Sequence, residues 1–591
     1  MMNRLSSWVA LAAVLLGCAS AGAASANCVI NPIAELHTTM EGRKALVDAK
    51  INGAPARFAV DSGAFYSSIT EAAARQFALP LDPAPWNFTI KGVGGEATPY
   101  LTTVRTFTLA NTDLPRIQFL VTPAPAGGSA GLIGQNVLGL GDVEYDLGAG
   151  AIRIFKPHGC GGVPLAYWVQ GKPYSMLSIE PLDKSRRTTG RVYVNGVAIK
   201  AYFDTGAGNS VISRSAAERA GIKLTDPDVQ PTGVTFGIGP HQVRTWTAPI
   251  KSFKVGDEEI RNTRLEVADM ELGEADMLLG ADFFLSHRIY VANSQYKLYF
   301  TYVGGPVFNL SSTPLVQTTP DQTPQAAPTA ASEADPKDAE GFSRRGAAFA
   351  TRRDFKDAIA DFDRAVALAP TEPRYVYQRA MVHLDNRQPL QAIEDLDRTL
   401  TLDPKNIDAL IARADLRLRE RDRGKAGEDV KAAEALTPKE SDVRLQLGHL
   451  NITLDQLDAA VADFTDWIDS HGEDGRRSSA LNGRCWSRAL LGVDLDKAER
   501  DCDAALRTGL KNPSYLDSRG LVHLRKGELD RAIADYDAAL ALQPKLAWAL
   551  YGRGVAKTKK GLSVEGAADI AAAAAIRPAL ADEAKAHGIT P

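Results

Sequence analysis

The sequence predicts a multidomain protein, with an all-β, double-lobed region over about 27–309 followed by an all-α helical-repeat solenoid over about 339–591. Three observations predict this. Two stretches 143 residues apart nearly repeat each other: N-G-A-P-A-R-F-A-V-D-S-G-A-F-Y-S-S-I-T at 52–70 and N-G-V-A-I-K-A-Y-F-D-T-G-A-G-N-S-V-I-S at 195–213. Residues 311–335 hold Pro, Thr, Gln and Ala with almost no large apolar side chain. Beyond them, prolines and small residues recur every 34 positions. A chain of 591 residues also exceeds what one hydrophobic core holds.

At the N-terminus, Arg4 gives a short positive region, residues 8–16 are apolar, and Ala24-Ser25-Ala26 offers a small-residue cleavage site. This reads as a secretory signal over 1–26 and a secreted, periplasmic location. The alternative is a lipoprotein box at Leu15-Leu16-Gly17-Cys18, which would anchor the chain by a lipid on Cys18. No later apolar run approaches the roughly 20 residues of a spanning helix, so no transmembrane segment is expected. The net charge of −4 argues against a nucleic-acid partner. Cleavage after Ala26 leaves Cys28, Cys160, Cys485 and Cys502. An even number in an oxidising compartment permits two bridges, and position suggests Cys28–Cys160 and Cys485–Cys502, against a reading as buried thiols. None has metal-ligand spacing, and neither a metal nor a cofactor is expected.

From 27 to 309 the chain is rich in Val, Ile, Thr, Phe and Gly in short alternating runs, the pattern of strands. Each copy of the duplicated stretch reads as a hairpin turn (Asn52-Gly53, Asn195-Gly196), then a strand, then an Asp at its end. Thr70 and Ser213 are placed to cap helices over 71–77 and 214–220. Each copy then has a glycine-rich segment, around Gly94-Gly95 and around Gly237 and Gly239, and an apolar pair before Gly, Leu132-Ile133-Gly134 and Leu278-Leu279-Gly280. The Asp-to-Gly spacing is 73 in one copy and 76 in the other. Two similar lobes follow, 27–165 and 166–309, then a linker over 310–338.

Past the linker, Pro370, Pro404 and Pro438 lie 34 apart, as do Pro544 and Pro578. Gly346, Ala380, Ala414 and Gly448 keep the same interval, with a four-residue slip near 475–478. The period, with Ala358/Phe362 and Ala532/Tyr536 in second helices, resembles tetratricopeptide repeats, about seven over 339–581 with a short C-terminal cap. Cys485 and Cys502 fall where the two helices of one repeat pack together. Such arrays commonly present a concave face, so a protein partner is expected there.

A duplication with one carboxylate per copy suits a two-carboxylate hydrolase. Like charges about 3 Å apart cannot both ionise, so one carboxyl keeps a proton while the other accepts one from water. The pair titrates as a unit, and neither role belongs to Asp61 or Asp204 singly. Ser62 and Thr205 are placed to bond across the lobe interface, and Gly63 and Gly206 to let backbone pass close to the carboxylates.

A lone Asp-Ser/Thr-Gly usually marks a turn, but here strand, triplet, Ala, Ser-x-Ile and apolar-apolar-Gly all occur twice. Those residues resemble the retropepsin-like aspartic protease domain over about 280 residues, in a tandem single-chain form similar in logic to pepsin. Gly280-Ala281-Asp282-Phe283-Phe284 also resembles bacterial secreted relatives fused to tetratricopeptide repeats. The resemblance implies an aspartic endopeptidase acting on a peptide or protein substrate, with Asp61 and Asp204 catalytic and flaps near Gly94, Gly95, Gly237 and Gly239. Two departures are a Ser after Asp61 and the lack of a Tyr in either glycine-rich segment. The rival reading is a non-catalytic peptide-binding or interaction scaffold of the cell envelope.

Gly127-Gly128-Ser129-Ala130-Gly131 matches the serine-hydrolase elbow, yet the proline-containing run before it cannot be a central strand. His241 and His287 read as surface or satisfied core residues, and Asp282 as a helix cap.

Overall fold

A computed structural model describes residues 28–122, 129–182, 187–235, 237, 239, 241–308, 336–472, 474–507 and 512–591. The expected signal with Cys18, and nearly all of the expected linker, lie outside the described residues.

The duplicated sequence becomes a duplicated topology. In the first lobe, Lys44–Ile51 and Ala54–Val60 form a hairpin through Asn52 and Gly53, both at positive φ. In the second, Thr189–Val194 and Val197–Phe203 do the same through Asn195 and Gly196. Asparagine and glycine tolerate the left-handed backbone that this tight turn demands. The strand leading to each Asp then pairs in parallel with the apolar-apolar-Gly strand, Val60 beside Ile133 and Phe203 beside Leu279. Thr70 Oγ1 accepts the Ala73 amide at 3.0 Å and Ser213 Oγ accepts the Ala216 amide at 3.3 Å, capping helices Glu71–Gln76 and Arg214–Arg219.

Beneath the two lobes runs one shared layer. Strands His287–Ala292 and Lys297–Tyr302 from the second half join Asp142–Asp146, Ala151–Phe155 and Pro32–Glu41 from the first, with Val143 opposite Val291. Because hydrogen bonds cross from one half to the other, the lobes are held at a fixed separation. Cys28 is bonded to Cys160 at the edge of this layer. His287 is buried within it, with Nδ1 at 2.8 Å from the Phe283 carbonyl and Nε2 at 3.0 Å from Glu258, a satisfied core residue.

The C-terminal region holds, among the described residues, seven antiparallel helix pairs from Ala339–Thr351 and Phe355–Leu368 to Ala547–Lys559 and Ser563–Ile576, then a capping helix, Leu580–Ala586. The small residues at the 34-residue interval make room for rings, since a Cβ on Gly448 would lie 2.8 Å from Phe464. Cys485 and Cys502 join the two helices of the fifth pair. In the described residues no helix is long and apolar enough to cross a membrane.

A ladder of arginines runs through this solenoid. Arg379 grips Asp395 of its own repeat with Nε and Nη2 at 2.8 and 2.6 Å, and its Nη1 reaches Asp363 of the preceding repeat at 2.7 Å. Arg413, Arg519 and Arg553 repeat the pattern with Asp429, Asp535 and Asp569, each 16 residues on. At the slip the spacing changes, Arg444 reaching Asp463 and Arg484 reaching Asp501, 19 and 17 residues on. Removing one partner of such a covered pair leaves an uncompensated charge, so Arg379→Ala should destabilise the chain by about 3 kcal/mol in denaturant unfolding. Arg379→Met with Asp395→Leu should recover most of that loss.

Asp517 is a second, opposite case. Its Oδ1 has no hydrogen-bond partner, and burial alone pushes its carboxyl up to about 8. A carboxyl raised in the folded state favours folding only below its unfolded value near 4, and the stability is lost as pH rises towards 8. Asp517→Asn should therefore raise the melting temperature at pH 8 and leave it nearly unchanged at pH 4.

The first repeat is fused to the β region. Ala347, Ala348, Ala358 and Phe362 belong to the same apolar core as Phe58, Phe203 and Phe283, and Thr351 Oγ1 donates to the Gly42 carbonyl at 2.9 Å.

Candidate active site

Each Asp leaves its strand at the point where the neighbouring strand ends, because its amide still donates along the parallel ladder: Asp61 to the Ile133 carbonyl at 3.0 Å, Asp204 to Leu279 at 2.8 Å. The two Asp loops then meet across the lobe interface. The Ser62 amide donates to Thr205 Oγ1 at 3.0 Å, and the Thr205 amide donates to Ser62 Oγ at 3.0 Å. Each hydroxyl passes its own proton to the opposite strand, Ser62 Oγ to the Phe203 carbonyl and Thr205 Oγ1 to the Val60 carbonyl, both at 2.8 Å. Both side chains are 1% exposed, so a Ser serves as well as a Thr in this dry contact.

This clasp sets the carboxyl groups of Asp61 and Asp204 in hydrogen-bonding contact. The Ala64 amide holds Asp61 Oδ1 at 2.8 Å, and the Gly206 amide holds Asp204 Oδ1 at 2.9 Å. Gly63 lies over Asp204 and Gly206 over Asp61 so closely that a Cβ on either would occupy the opposing carboxyl group. Asp61 is raised well above the usual carboxylate range, first by burial, then by the negative charge and hydrogen bond of Asp204. A pair with one proton between its members is the state this geometry favours.

Behind each loop sits a polar tie not anticipated from the sequence. In the first lobe Ser67 Oγ donates to Asn136 Oδ1 at 2.8 Å and accepts the Gly134 amide at 3.0 Å. In the second, Ser210 Oγ donates to Asp282 Oδ1 at 2.6 Å and accepts the Gly280 amide at 2.9 Å. Both serines lie six residues after the Asp, and Asn136 and Asp282 both lie two residues after the Gly, a coincidence readable in the sequence. Asp282 thus fixes a loop, while Gly280 occupies the helix N-cap position; burial pushes Asp282 up to about 6.

The cleft above the pair encloses about 690 Å³ and is bordered by both lobes, including Gly92, Val93 and Gly237. Its roof is made of the two glycine-rich segments. Hairpin Ile90–Gly92 and Gly95–Ala97 from the first lobe meets the segment after Gln230–Thr235 from the second, where the His241 amide donates to the Gly94 carbonyl at 3.0 Å. Gly239, at φ +109°, packs directly on the Gly94 backbone, where no side chain fits. Gly95 packs against the exposed His241 ring. The second flap also touches the solenoid, Gln242 Nε2 donating to Ser478 Oγ at 3.1 Å beside the slip in the repeat period.

Ser129 is buried with its Oγ donating to the Gly131 carbonyl at 3.0 Å; residues 123–128 lie outside the described residues. Glu499, His523 and Glu528 cluster closely enough to hold a cation. Lys526 and Arg531 already neutralise that cluster, lying 2.6 and 2.8 Å from Glu499.

Comparison with known proteins agrees with this division. Residues 47–137 and 190–283 match the aspartyl protease family model, 324–373 and 377–441 match the tetratricopeptide repeat model, and 520–561 match a TPR repeat model. Protein DNA-DAMAGE INDUCIBLE 1 of Arabidopsis thaliana is 43% identical over 60 residues, 10% of this chain and 14% of that protein, so the chain spans a small part of that relative. Among solved structures, the TPR protein YrrB, described as having an unusual peptide-binding site, aligns at 17% identity over 32% of this chain and 97% of its own, with a TM-score of 0.29. A tetratricopeptide repeat protein from Parabacteroides merdae aligns at 18% identity over 42% of this chain and 98% of its own, with a TM-score of 0.32. The chain carries a two-part aspartyl protease family domain towards its N-terminus and tetratricopeptide repeats towards its C-terminus.

Proposed function

We propose that this protein is an aspartic endopeptidase whose catalytic pair is Asp61 and Asp204. The observation that carries the reading is the contact between the two carboxyl groups, delivered from duplicated loops to the base of one roofed cleft. A water molecule held between the carboxyls gives its proton to the ionised member as its oxygen attacks the scissile carbonyl carbon. The protonated member donates to the carbonyl oxygen, and the resulting diol collapses as the leaving nitrogen takes up a proton. Closure of the two glycine-rich tips excludes bulk water and strengthens both interactions. The repeats bind the protein partner or substrate. The N-terminal signal and the two disulfides support export to an oxidising compartment.

Activity needs one proton on the pair. The rate should fall at high pH as Asp61 and Asp204 lose it, and at low pH as they gain a second. Incubating the full chain with an unfolded protein from pH 3 to 8 should give a bell-shaped profile (, about five pH units scanned). Absence of cleavage at every pH contradicts the proposal.

A further inference from the structure

Two unequal pockets flank the carboxyl pair, and they are duplicates of one another. Lys44 and Arg187 each lie 17 residues before the lobe's Asp, and Ala59 and Tyr202 each lie two before it. Ser68 and Val211 each lie seven after it, and Leu132 and Leu278 each precede the Gly by two. The first-lobe pocket, bordered by Lys44, Ala59, Ser68, Thr122 and Leu132, holds about 70 Å³. On the second-lobe side, Tyr202, Val211 and Leu278 belong to an apolar cluster with Met270, bordering the main cleft of about 690 Å³. The guanidinium of Arg187 lies 4.9 Å from the centre of the Tyr202 ring.

Lys44 is the unusual residue. It borders both pockets, and among the described residues its amine has no ion-pair or hydrogen-bond partner. Burial holds that amine below the usual lysine range, with Arg476 adding to the depression and Asp442, Glu41 and Asp61 opposing it. Asp442 is itself gripped by Arg476 at 2.6 and 3.0 Å. Two hydroxyls stand with Lys44 in the small pocket, Ser68 and Thr122, 3% and 2% exposed and 3.4 Å apart. A covered cation and two hydroxyls in a small space form a receptor for a carboxylate. Successive side chains of an extended peptide point to opposite faces, so the residues on either side of the scissile bond enter opposite pockets.

Resting on the reading of this cleft as an aspartic peptidase site, we propose that the enzyme selects bonds joining a small acidic residue to a large apolar one. The acidic side chain enters the first-lobe pocket against Lys44, and the apolar one enters the second-lobe pocket over Tyr202. This makes the two duplicated lobes complementary rather than interchangeable.

The test uses the full chain and peptides carrying Asp–Phe or Phe–Asp at the centre, each matched with an Asn version. One of the two orders should be cleaved with a kcat/KM at least about 10-fold higher for Asp than for Asn, the range of one charge-assisted contact. In Lys44→Met the advantage should fall below about twofold, and Lys44→Arg should retain it. Equal cleavage of Asp and Asn peptides, or an advantage that survives in Lys44→Met, overturns the proposal. Uncleavable reduced-amide versions of the same peptides read the pocket without turnover. Tighter binding of the Asp version, lost in Lys44→Met, upholds the selectivity even where no peptide is cut, and equal binding rejects it.

Discussion

Asp61→Asn should lower kcat by about 10³-fold or more while leaving the fold intact, and Asp204→Asn should do the same (, general acid–base contributions of about 10²–10⁴). Either change removes the only proton acceptor or the only donor in contact with the water, so the losses do not add in the double variant. Stability should move the other way. Asp61 is raised in the folded state by burial and by Asp204, so it favours folding below its unfolded value near 4 and opposes folding as pH climbs above it. The melting temperature of Asp61→Asn at pH 7 should therefore exceed that of the parent, with the difference gone near pH 3 (, about one unit below the unfolded value). Loss of activity with a lower melting temperature at pH 7 would point to simple misfolding.

Gly206→Ala should be nearly as damaging to activity, for a reason of space alone. The new methyl group would have to occupy the volume of the Asp61 carboxyl, and Gly63→Ala would do the same to Asp204. Neither glycine has a positive φ, so the backbone itself tolerates alanine. The cost falls on the alignment of the pair. A displacement of about 1 Å in a reacting group costs roughly 10²-fold, and that is the expected loss in kcat/KM for each variant. Far-ultraviolet circular dichroism should remain that of the parent, because the surrounding strands keep their pairing. Wild-type turnover in Gly206→Ala would show that the carboxyl groups do not need this spacing.

Asp61 and Asp204 could be picked out because a duplication exposes what it keeps. Asn-Gly, the strand, Asp-x-Gly-Ala, Ser-x-Ile and the later apolar-apolar-Gly recur with hardly a change in spacing, and each is a local instruction: a turn, a strand, a cap, a parallel neighbour. The solenoid was legible for the same reason. Other features carried a signal that went unread. Ser67 with Asn136 and Ser210 with Asp282 stand at matching offsets, but a polar tie between segments about 70 residues apart shows only once the two loops are laid side by side. The 16-residue Arg–Asp spacing of the solenoid was equally present, and was hidden by the abundance of charge on helical surfaces. The meeting of the flap with the repeats at Gln242 and Ser478 was not legible at all. It depends on how far the solenoid curls, which is set by small rotations summed over several repeats. The slip near 475–478 marked the place in the sequence but gave no hint of its neighbour.

The account rests on one proton held between two carboxyl groups that come from opposite halves of the chain. Carbon-13 labelling of the aspartate carboxyls, followed by nuclear magnetic resonance during a pH titration, measures this directly. At about pH 6 the parent should show one of the two cleft carboxyls still protonated, and in Asp204→Asn the Asp61 carboxyl should titrate at a lower pH, since a negative neighbour has been removed. If both carboxyls of the parent titrate independently near the ordinary value of about 4, there is no shared proton and no catalytic pair.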